Sequence, residues 1–138
     1  MTRLRIIFTD VDGVLNPHWK TKWSKNAILI YNKMCKDLDL KPVITSTWRL
    51  NHTKEQLQKI FIEQGIDVEI YDFTPHIDQA DRGLEIKTWL SNNKVDSYVV
   101  IDDKTSDIVK YVENVIKVRS WIGLTSEEYE EVMISFEK

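Results

Sequence analysis

The sequence is poor in the residues that cross-link a chain, bind soft metals or interrupt a fold. Of its 138 residues one is a cysteine, Cys35, so neither an intrachain disulfide nor a multi-cysteine metal site can form. Only 4 glycines and 3 prolines occur, and no segment enriched in them marks a linker. No apolar run is long enough to span a bilayer, and the run before Asp10 is too short for a signal peptide. These absences predict one cytoplasmic domain over residues 1–138 with no membrane partner.

An excess of charge of either sign is also missing. The chain has 19 Lys and Arg against 22 Asp and Glu, a net charge of -3, which gives no overall attraction to nucleic acid or to an anionic membrane. The three histidines, His18, His52 and His76, show no metal-ligand spacing and are expected in loops or on the surface. Binding of a polyanion would therefore need a local basic patch.

Short apolar runs alternate with amphipathic segments along the whole chain. Strands are predicted over residues 4–9, 42–45, 68–71, 97–101 and 115–118. Helices are predicted where apolar residues recur every three or four positions, over residues 28–38, 57–61, 86–90, 108–115 and 129–136. Two of these helices follow capping boxes, Thr53 with Gln56 and Thr125 with Glu128. Strands that are apolar throughout and alternate with helices indicate an α/β fold with a doubly wound, mostly parallel sheet.

Polar side chains follow three of the predicted strands. They are Asp10 and Asp12 after the first, Thr45, Ser46 and Arg49 after the second, and Asp102 and Asp103 after the fourth. In doubly wound folds the ligand lies outside the carboxyl ends of the strands. The sequence therefore predicts a site at this edge that contains four carboxylates and a cluster of hydroxyl groups.

The predicted acidic cluster needs a cation. Two carboxylates about 4 Å apart repel each other by roughly 4 kcal/mol at an effective dielectric constant near 20. Oxygen ligands without histidine or cysteine favour magnesium or calcium over zinc. Aspartates after strands also cap helices or shape turns, and a calcium loop begins similarly. The calcium loop is excluded here because Val14 and Thr21 stand where it needs further acidic residues.

The motifs themselves resemble those of the haloacid-dehalogenase-like (HAD) superfamily. FTDVDGVLN is similar to its first motif, VITSTWR to the second and VVIDD to the fourth, and RGLEIKTWL lies where the third motif places a basic residue. The order of these strings resembles the capless HAD domains of Swiss-Army-knife RNA repair proteins and, more distantly, the phosphatase half of polynucleotide kinase-phosphatase. Only 32 residues separate Arg49 from Arg82, which leaves no room for a cap domain.

The resemblance implies roles for the carboxylates. Asp10 would attack phosphorus to form an aspartyl-phosphate, and Asp12 would act as general acid and then as general base. The magnesium ion would be held by Asp10, Asp102 and Asp103, together with the backbone carbonyl of Asp12. A carboxylate pair of the Asp-x-Asp type supplies both the nucleophile and the group that exchanges a proton with the leaving group.

The resemblance leaves three assignments open. Either Thr45 or Ser46 would donate a hydrogen bond to the phosphoryl group. The third-motif residue is usually lysine, and here Arg82 is the best-placed basic residue, with Lys87 as the alternative. Arg49 would either contact the substrate phosphate or pair with a local carboxylate.

The segment that follows the first motif carries the only hint about substrate. In this superfamily it forms a flap beside the active site, and here residues 17–25 contain two tryptophans, three lysines and no acidic residue. Trp19 is predicted to contact substrate by stacking on a base, whereas Trp23 is predicted to cover the first helix.

The resulting prediction is a magnesium-dependent phosphatase whose partner is a phosphorylated substrate, with a nucleotide or a polynucleotide end as the class that the flap favours. The alternatives are a phosphatase that acts on a small metabolite and a catalytically quiet binding module. The pair formed by Asp10 and Asp12 argues against the quiet module, which would not need the second carboxylate. The sequence predicts no oligomeric state.

Overall fold

A parallel β-sheet forms the centre of the computed structural model, which describes residues 3–17, 19–79 and 81–137. The strands are β1 Arg5–Thr9, β2 Leu40–Ile44, β3 Asp72–Phe73, β4 Ser97–Asp102 and β5 Val115–Lys117. Their order in the sheet is β3-β2-β1-β4-β5, and all four pairings are parallel. The predicted α/β class with a doubly wound parallel sheet is confirmed, and the described residues contain no cap domain.

Five helices connect or follow the strands. They are α1 Lys25–Leu38, α2 Trp48–Asn51, α3 Lys54–Glu63, α4 Arg82–Asn92 and α5 Ser126–Phe136. Both capping boxes that the sequence indicated are formed, at Thr53 before α3 and at Thr125 before α5. Among the described residues, no helix has the length and apolar character needed to cross a membrane.

Both faces of the sheet are buried, because successive β1 side chains point to opposite sides. Ile7 packs in one core together with residues of α1, α3 and α5, including Tyr31 and Val132. Phe8 packs in the other core, where the ring of Trp89 from α4 meets it edge-on at 5.5 Å between centroids. Helices cover both faces of the sheet, and the polar residues gather at the edge formed by the carboxyl ends of the strands.

The strand predicted over residues 68–71 is wrong by several positions. The strand consists of Asp72 and Phe73, opposite Val43 and Ile44 of β2, and the first backbone bond to β2 is that from the Tyr71 N–H to the Pro42 carbonyl at 2.8 Å. Ile70 is bonded to another element, since its backbone N–H donates to the Gln58 side chain of α3 at 2.6 Å. Ile70 lies in a loop, and its side chain is nevertheless buried in the core.

The helix predicted over residues 108–115 is also wrong. The segment forms consecutive turns, and β5 begins at Val115. Ile108 and Val112 are buried, as their spacing indicated. The turns lie so close to the start of α4 that a Cβ atom added to Gly83 would come within 2.8 Å of the backbone of Ile108. Burial here therefore comes from tight packing against Gly83 rather than from a regular helix.

Candidate active site

The register of β1 and β4 brings two aspartates together. Thr9 lies opposite Ile101, and the backbone N–H of Asp10 donates to the Ile101 carbonyl at 3.3 Å. The next residues of the two strands, Asp10 and Asp102, consequently reach the carboxyl edge side by side. The Asp10 residue is 5% exposed and Asp102 is fully buried.

A third carboxylate completes the group. One carboxylate oxygen from each of Asp10, Asp102 and Asp103 lies within 4.8 Å of the others. Gly13 permits this arrangement, because its φ of 83° is in the left-handed region and an added Cβ atom would overlap the Asp103 carboxylate. The loop that follows β1 is thereby packed directly against the acidic group.

Arg82, the first residue of α4, supplies the positive charge at this group. Its Nη1 atom donates to Asp102 Oδ2 at 2.8 Å and lies 3.3 Å from Asp10 Oδ1. Lys87 is exposed and forms no ion pair within the part of the chain that the structure describes. Of the two candidates for the third-motif residue, the geometry brings Arg82 to the carboxylates and leaves Lys87 outside.

One guanidinium group does not neutralise three carboxylates. Burial and the negative charge of Asp102 raise the pKa of Asp10 to about 8, although Arg82 opposes the shift. Burial likewise raises the pKa of Asp102 to about 6, again against the effect of Arg82. The group therefore binds an additional positive charge, either a proton or a metal ion, more readily than an exposed carboxylate does.

The donor set fits a hard divalent cation. The three clustered carboxylates offer only oxygen ligands, with no histidine or cysteine among them, and this is the preference of magnesium and calcium. The Asp12 carboxylate does not belong to the group. A metal contact from Asp12 would have to use its backbone carbonyl, as the resemblance implies.

Asp12 is held in a separate position by an indole. The Trp48 Nε1–H, at the start of α2, donates to Asp12 Oδ2 at 3.1 Å. Trp48 also meets Trp23 edge-on at 5.5 Å between ring centroids. This contact fixes the second carboxylate of the Asp-x-Asp pair apart from the three that could bind a cation, as different roles for Asp10 and Asp12 require.

Thr45 and Ser46 follow β2 at the same edge of the sheet as the clustered carboxylates, and both are buried. Ser46 Oγ accepts from the backbone N–H of Trp48 at 3.2 Å, which leaves its own proton uncommitted. Thr45 follows Ile44, the residue opposite Thr9, so it lies alongside Asp10. Its Oγ1 atom has no hydrogen-bond partner within the described residues. A buried hydroxyl without a partner is unfavourable, and a phosphoryl oxygen would supply one to Thr45.

Arg49 does not face the carboxylate group. Its guanidinium is buried, and all five of its N–H donors are used inside the protein. The acceptors are Thr74 O at 2.9 Å, Thr45 O at 2.8 Å, Ser46 O at 3.0 Å, Pro75 O at 3.2 Å and Glu85 Oε1 at 3.0 Å. The geometry thus favours pairing with a local carboxylate over contact with substrate phosphate.

Like Trp48, which holds Asp12, Glu85 is a structural residue of the site that the sequence analysis does not single out. It lies one turn after Arg82 on α4 and is buried, with Oε1 on Arg49 and Oε2 accepting from the Ile77 backbone N–H at 3.0 Å. His76 Nδ1 lies 3.5 Å from the same Oε2 atom. In the sequence, Glu85 is indistinguishable from the acidic residues common in the first turn of helices. The Arg49–Glu85 pair ties the loop that carries Thr45 and Ser46 to the helix that carries Arg82.

Removal of Glu85 is expected to destabilise the protein strongly. Glu85→Ala leaves the buried Arg49 charge without its partner, and breaking a buried pair in this way typically costs about 3–5 kcal/mol. Urea unfolding measures the loss. Glu63→Ala, which removes an exposed glutamate at the end of α3, is the matched control, expected to stay within about 0.5 kcal/mol of the wild type. Equal stability of the two variants would mean that the pair does not support the fold.

The two tryptophans of the flap have different surroundings. Trp23 is buried, and its ring contacts those of Trp48 and Phe61 edge-on at 5.5 and 5.7 Å between centroids. Trp19 is 62% exposed. The first is a packing residue, and the second is available to a ligand. His18 lies outside the described residues.

One family model matches most of the chain. It is described as the HAD domain in Swiss Army Knife RNA repair proteins and covers residues 6–129. This range includes every strand from Ile6 onwards, the clustered carboxylates and Arg82. No curated protein matches the sequence at a significant level.

Proposed function

The chain belongs to the family of HAD domains in Swiss Army Knife RNA repair proteins, and on that premise we propose that it is a magnesium-dependent phosphatase that hydrolyses a phosphate monoester. The observation that carries the proposal is the position of Asp10. It lies at the carboxyl edge of the sheet beside two further carboxylates, with Arg82 Nη1 at 3.3 Å from its Oδ1 atom. An aspartate that only capped a helix or shaped a turn would not need two further carboxylates and an arginine beside it.

In the first step, an Asp10 carboxylate oxygen attacks phosphorus and the bond from phosphorus to the leaving oxygen breaks. Asp12 gives its proton to that oxygen, so the products are an aspartyl-phosphate and an alcohol. In the second step, water attacks phosphorus while Asp12 takes a proton from it. Inorganic phosphate leaves and the Asp10 carboxylate is restored.

Other residues of the site stabilise charge and orient the reacting groups. Arg82 offsets the negative charge that gathers between Asp10 and the phosphoryl oxygens. The hydroxyl of Thr45 or Ser46 donates to a phosphoryl oxygen, and the Trp48 indole orients Asp12. Magnesium, held by Asp10, Asp102 and Asp103, would supply the remaining positive charge.

The proposed substrate is a nucleotide or a polynucleotide end. With no cap domain in the described residues, a bulky substrate can reach Asp10 without closure of a lid. The exposed indole of Trp19 offers a surface on which a base can stack. A small metabolite is the second candidate, because the same open edge admits it as well.

A substrate screen tests the proposal. Purified protein with magnesium is assayed for phosphate release from mononucleotides, 3′- and 5′-phosphorylated oligonucleotides, sugar phosphates and p-nitrophenyl phosphate. We expect release that chelator abolishes and excess magnesium restores. An Asp10→Asn preparation purified in parallel detects any contaminating phosphatase. Failure to release phosphate from every substrate would favour a binding module.

A further inference from the structure

A second exposed tryptophan lies on the loop after β5. Trp121 is 66% exposed and Trp19 is 62% exposed, whereas Trp23 and Trp89 are buried. An exposed indole offers a flat face on which a nucleic-acid base can stack. The two exposed indoles lie on different loops, far apart in the sequence.

These two loops are packed against each other. The Leu124 backbone N–H donates to the Val14 carbonyl at 3.0 Å. Gly123 has a φ of 79°, and a Cβ atom there would lie 2.8 Å from Val14 O and 3.3 Å from the Pro17 ring. The turn that carries Trp121 therefore sits on the flap that carries Trp19. The loop between β1 and the flap lies against the acidic group, because Gly13 contacts the Asp103 carboxylate, so the two loops adjoin the candidate active site.

The flap holds Trp19 in an unfavourable backbone conformation. Its φ is 51°, which is rare for a bulky residue. The buried Asn16 side chain fixes the turn, because its Oδ1 accepts from the Lys20 N–H at 3.0 Å and its Nδ2 donates to the Lys20 carbonyl at 2.8 Å. Strain of this kind persists where the surrounding structure enforces it. Here the Asn16 clamp keeps the indole outside the core.

Both loops are basic, although the chain as a whole is acidic. No acidic residue occurs over residues 13–36 or 114–126, in a chain of net charge -3. The basic residues on the two loops and the adjoining ends of α1 and β5 are Lys20, Lys22, Lys25, Lys117 and Arg119. Arg119 is paired with Glu127 at 3.1 Å, and the four lysines form no ion pair within the described residues.

We propose that these two loops form a binding surface for single-stranded nucleic acid. Trp19 and Trp121 each stack on a base, the lysines contact phosphates of the strand, and its phosphorylated end enters the site at Asp10. This last contact rests on the proposed function. Two stacking positions need at least two bases, so the surface distinguishes a strand from a mononucleotide. Each stacked base is expected to contribute about 5- to 150-fold in affinity.

Fluorescence anisotropy tests the proposal. The probes are oligo(dT) strands of two, four and eight nucleotides. One set carries a 5′ phosphate and a 3′ fluorescein label, and the other set has the two groups exchanged. Binding is measured with magnesium in an Asp10→Asn background, so that the probe is not consumed. Trp19→Ala and Trp121→Ala are each expected to raise the Kd for the eight-residue strand at least fivefold, and Trp121→Phe should restore part of the affinity. Leu29→Ala removes an equally exposed side chain of α1 (67% exposed) and should leave the Kd unchanged.

The dependence of binding on strand length and salt, and its relation to turnover, complete the test. Affinity that rises with strand length and falls with salt, as phosphate contacts require, supports the proposal. Unchanged Kd values for both tryptophan variants overturn it, as does tight binding of a mononucleotide with no gain from a longer strand. Turnover of p-nitrophenyl phosphate by wild-type protein that binds no oligonucleotide refutes this surface and leaves the proposed phosphatase intact. Tryptophan-dependent oligonucleotide binding by wild-type protein that turns over no substrate would support this surface and refute the proposed phosphatase.

Discussion

Asp10→Asn is expected to lower phosphomonoester turnover by about 10⁴-fold or more, to the limit of detection, while the protein stays folded. The amide cannot replace a carboxylate that forms a covalent intermediate with phosphorus. Turnover of p-nitrophenyl phosphate and of the best nucleotide substrate, both with magnesium, measures the effect. Asp78→Asn changes a fully exposed aspartate in the same way and should keep wild-type activity. Wild-type turnover by Asp10→Asn would exclude the proposed nucleophile.

The stability of the same variant reports on the charge of the acidic group. The pKa of Asp10 is about 8 in the folded protein, against a usual value of 3.8. Because folding raises this pKa, the stability that protonated Asp10 contributes is complete below pH 4 and is lost as the pH rises through 8. In chelator, wild-type stability should therefore fall more steeply between pH 5 and 8 than that of Asp10→Asn. Urea unfolding across this range measures the difference, and parallel curves would contradict the raised pKa.

Arg82→Ala is expected to lower kcat by about 10²–10³-fold, the range seen when a donor to the transition state is removed. Arg82 Nη1 lies 2.8 Å from Asp102 and 3.3 Å from Asp10, so its charge acts directly on the nucleophile and on the group it attacks. Lys87→Ala should change kcat by no more than a few-fold, because Lys87 is exposed and the ion pairs of Asp10 and Asp102 are made by Arg82 instead. Steady-state kinetics on both variants checks the ranking.

The pH dependence of turnover distinguishes an effect of the Arg82 charge on Asp10 from a general loss of structure in the variant. Arg82 lowers the pKa of Asp10, so without it the nucleophile stays protonated to higher pH. The acidic limb of the rate profile should then move to higher pH in Arg82→Ala and return towards the wild-type position in Arg82→Lys. If Lys87→Ala proves the more damaging change, the third-motif residue lies five positions further along α4 than the contacts indicate.

The sheet and most helices follow from local patterns in the sequence. Apolar runs such as that of β1 need burial on both sides, and alternation with amphipathic segments then leaves few arrangements besides a doubly wound parallel sheet. Thr53 and Thr125 mark helix starts through bonds to residues three positions away, so the signal lies within one short window. The carboxyl-end rule places Asp10 and Asp102 at one edge before any coordinates are known.

The spacing of apolar residues predicted the wrong secondary structure where those residues are buried by contacts with elements distant in the sequence. Ile108 and Val112 have helical spacing, yet they are buried by turns packed on Gly83 of α4. Ile70 belongs to an apolar run of strand type, yet its backbone is bonded to Gln58 of α3 instead of to β2. An apolar pattern specifies that side chains are buried, but not which hydrogen bonds the backbone makes.

The sequence therefore indicated which residues form the candidate site and at which edge of the sheet they lie. It did not indicate which of these side chains contact each other. Asp10, Asp102 and Asp103 could be assembled from strand ends alone. Three features depend on packing between residues that lie 20 to 110 positions apart in the sequence. They are the choice of Arg82 over Lys87, the pairing of Arg49 with Glu85 and the closeness of the Trp121 loop to the flap. Distance in space at such separations is set by how helices and loops pack on the sheet, and no local pattern of residues encodes it.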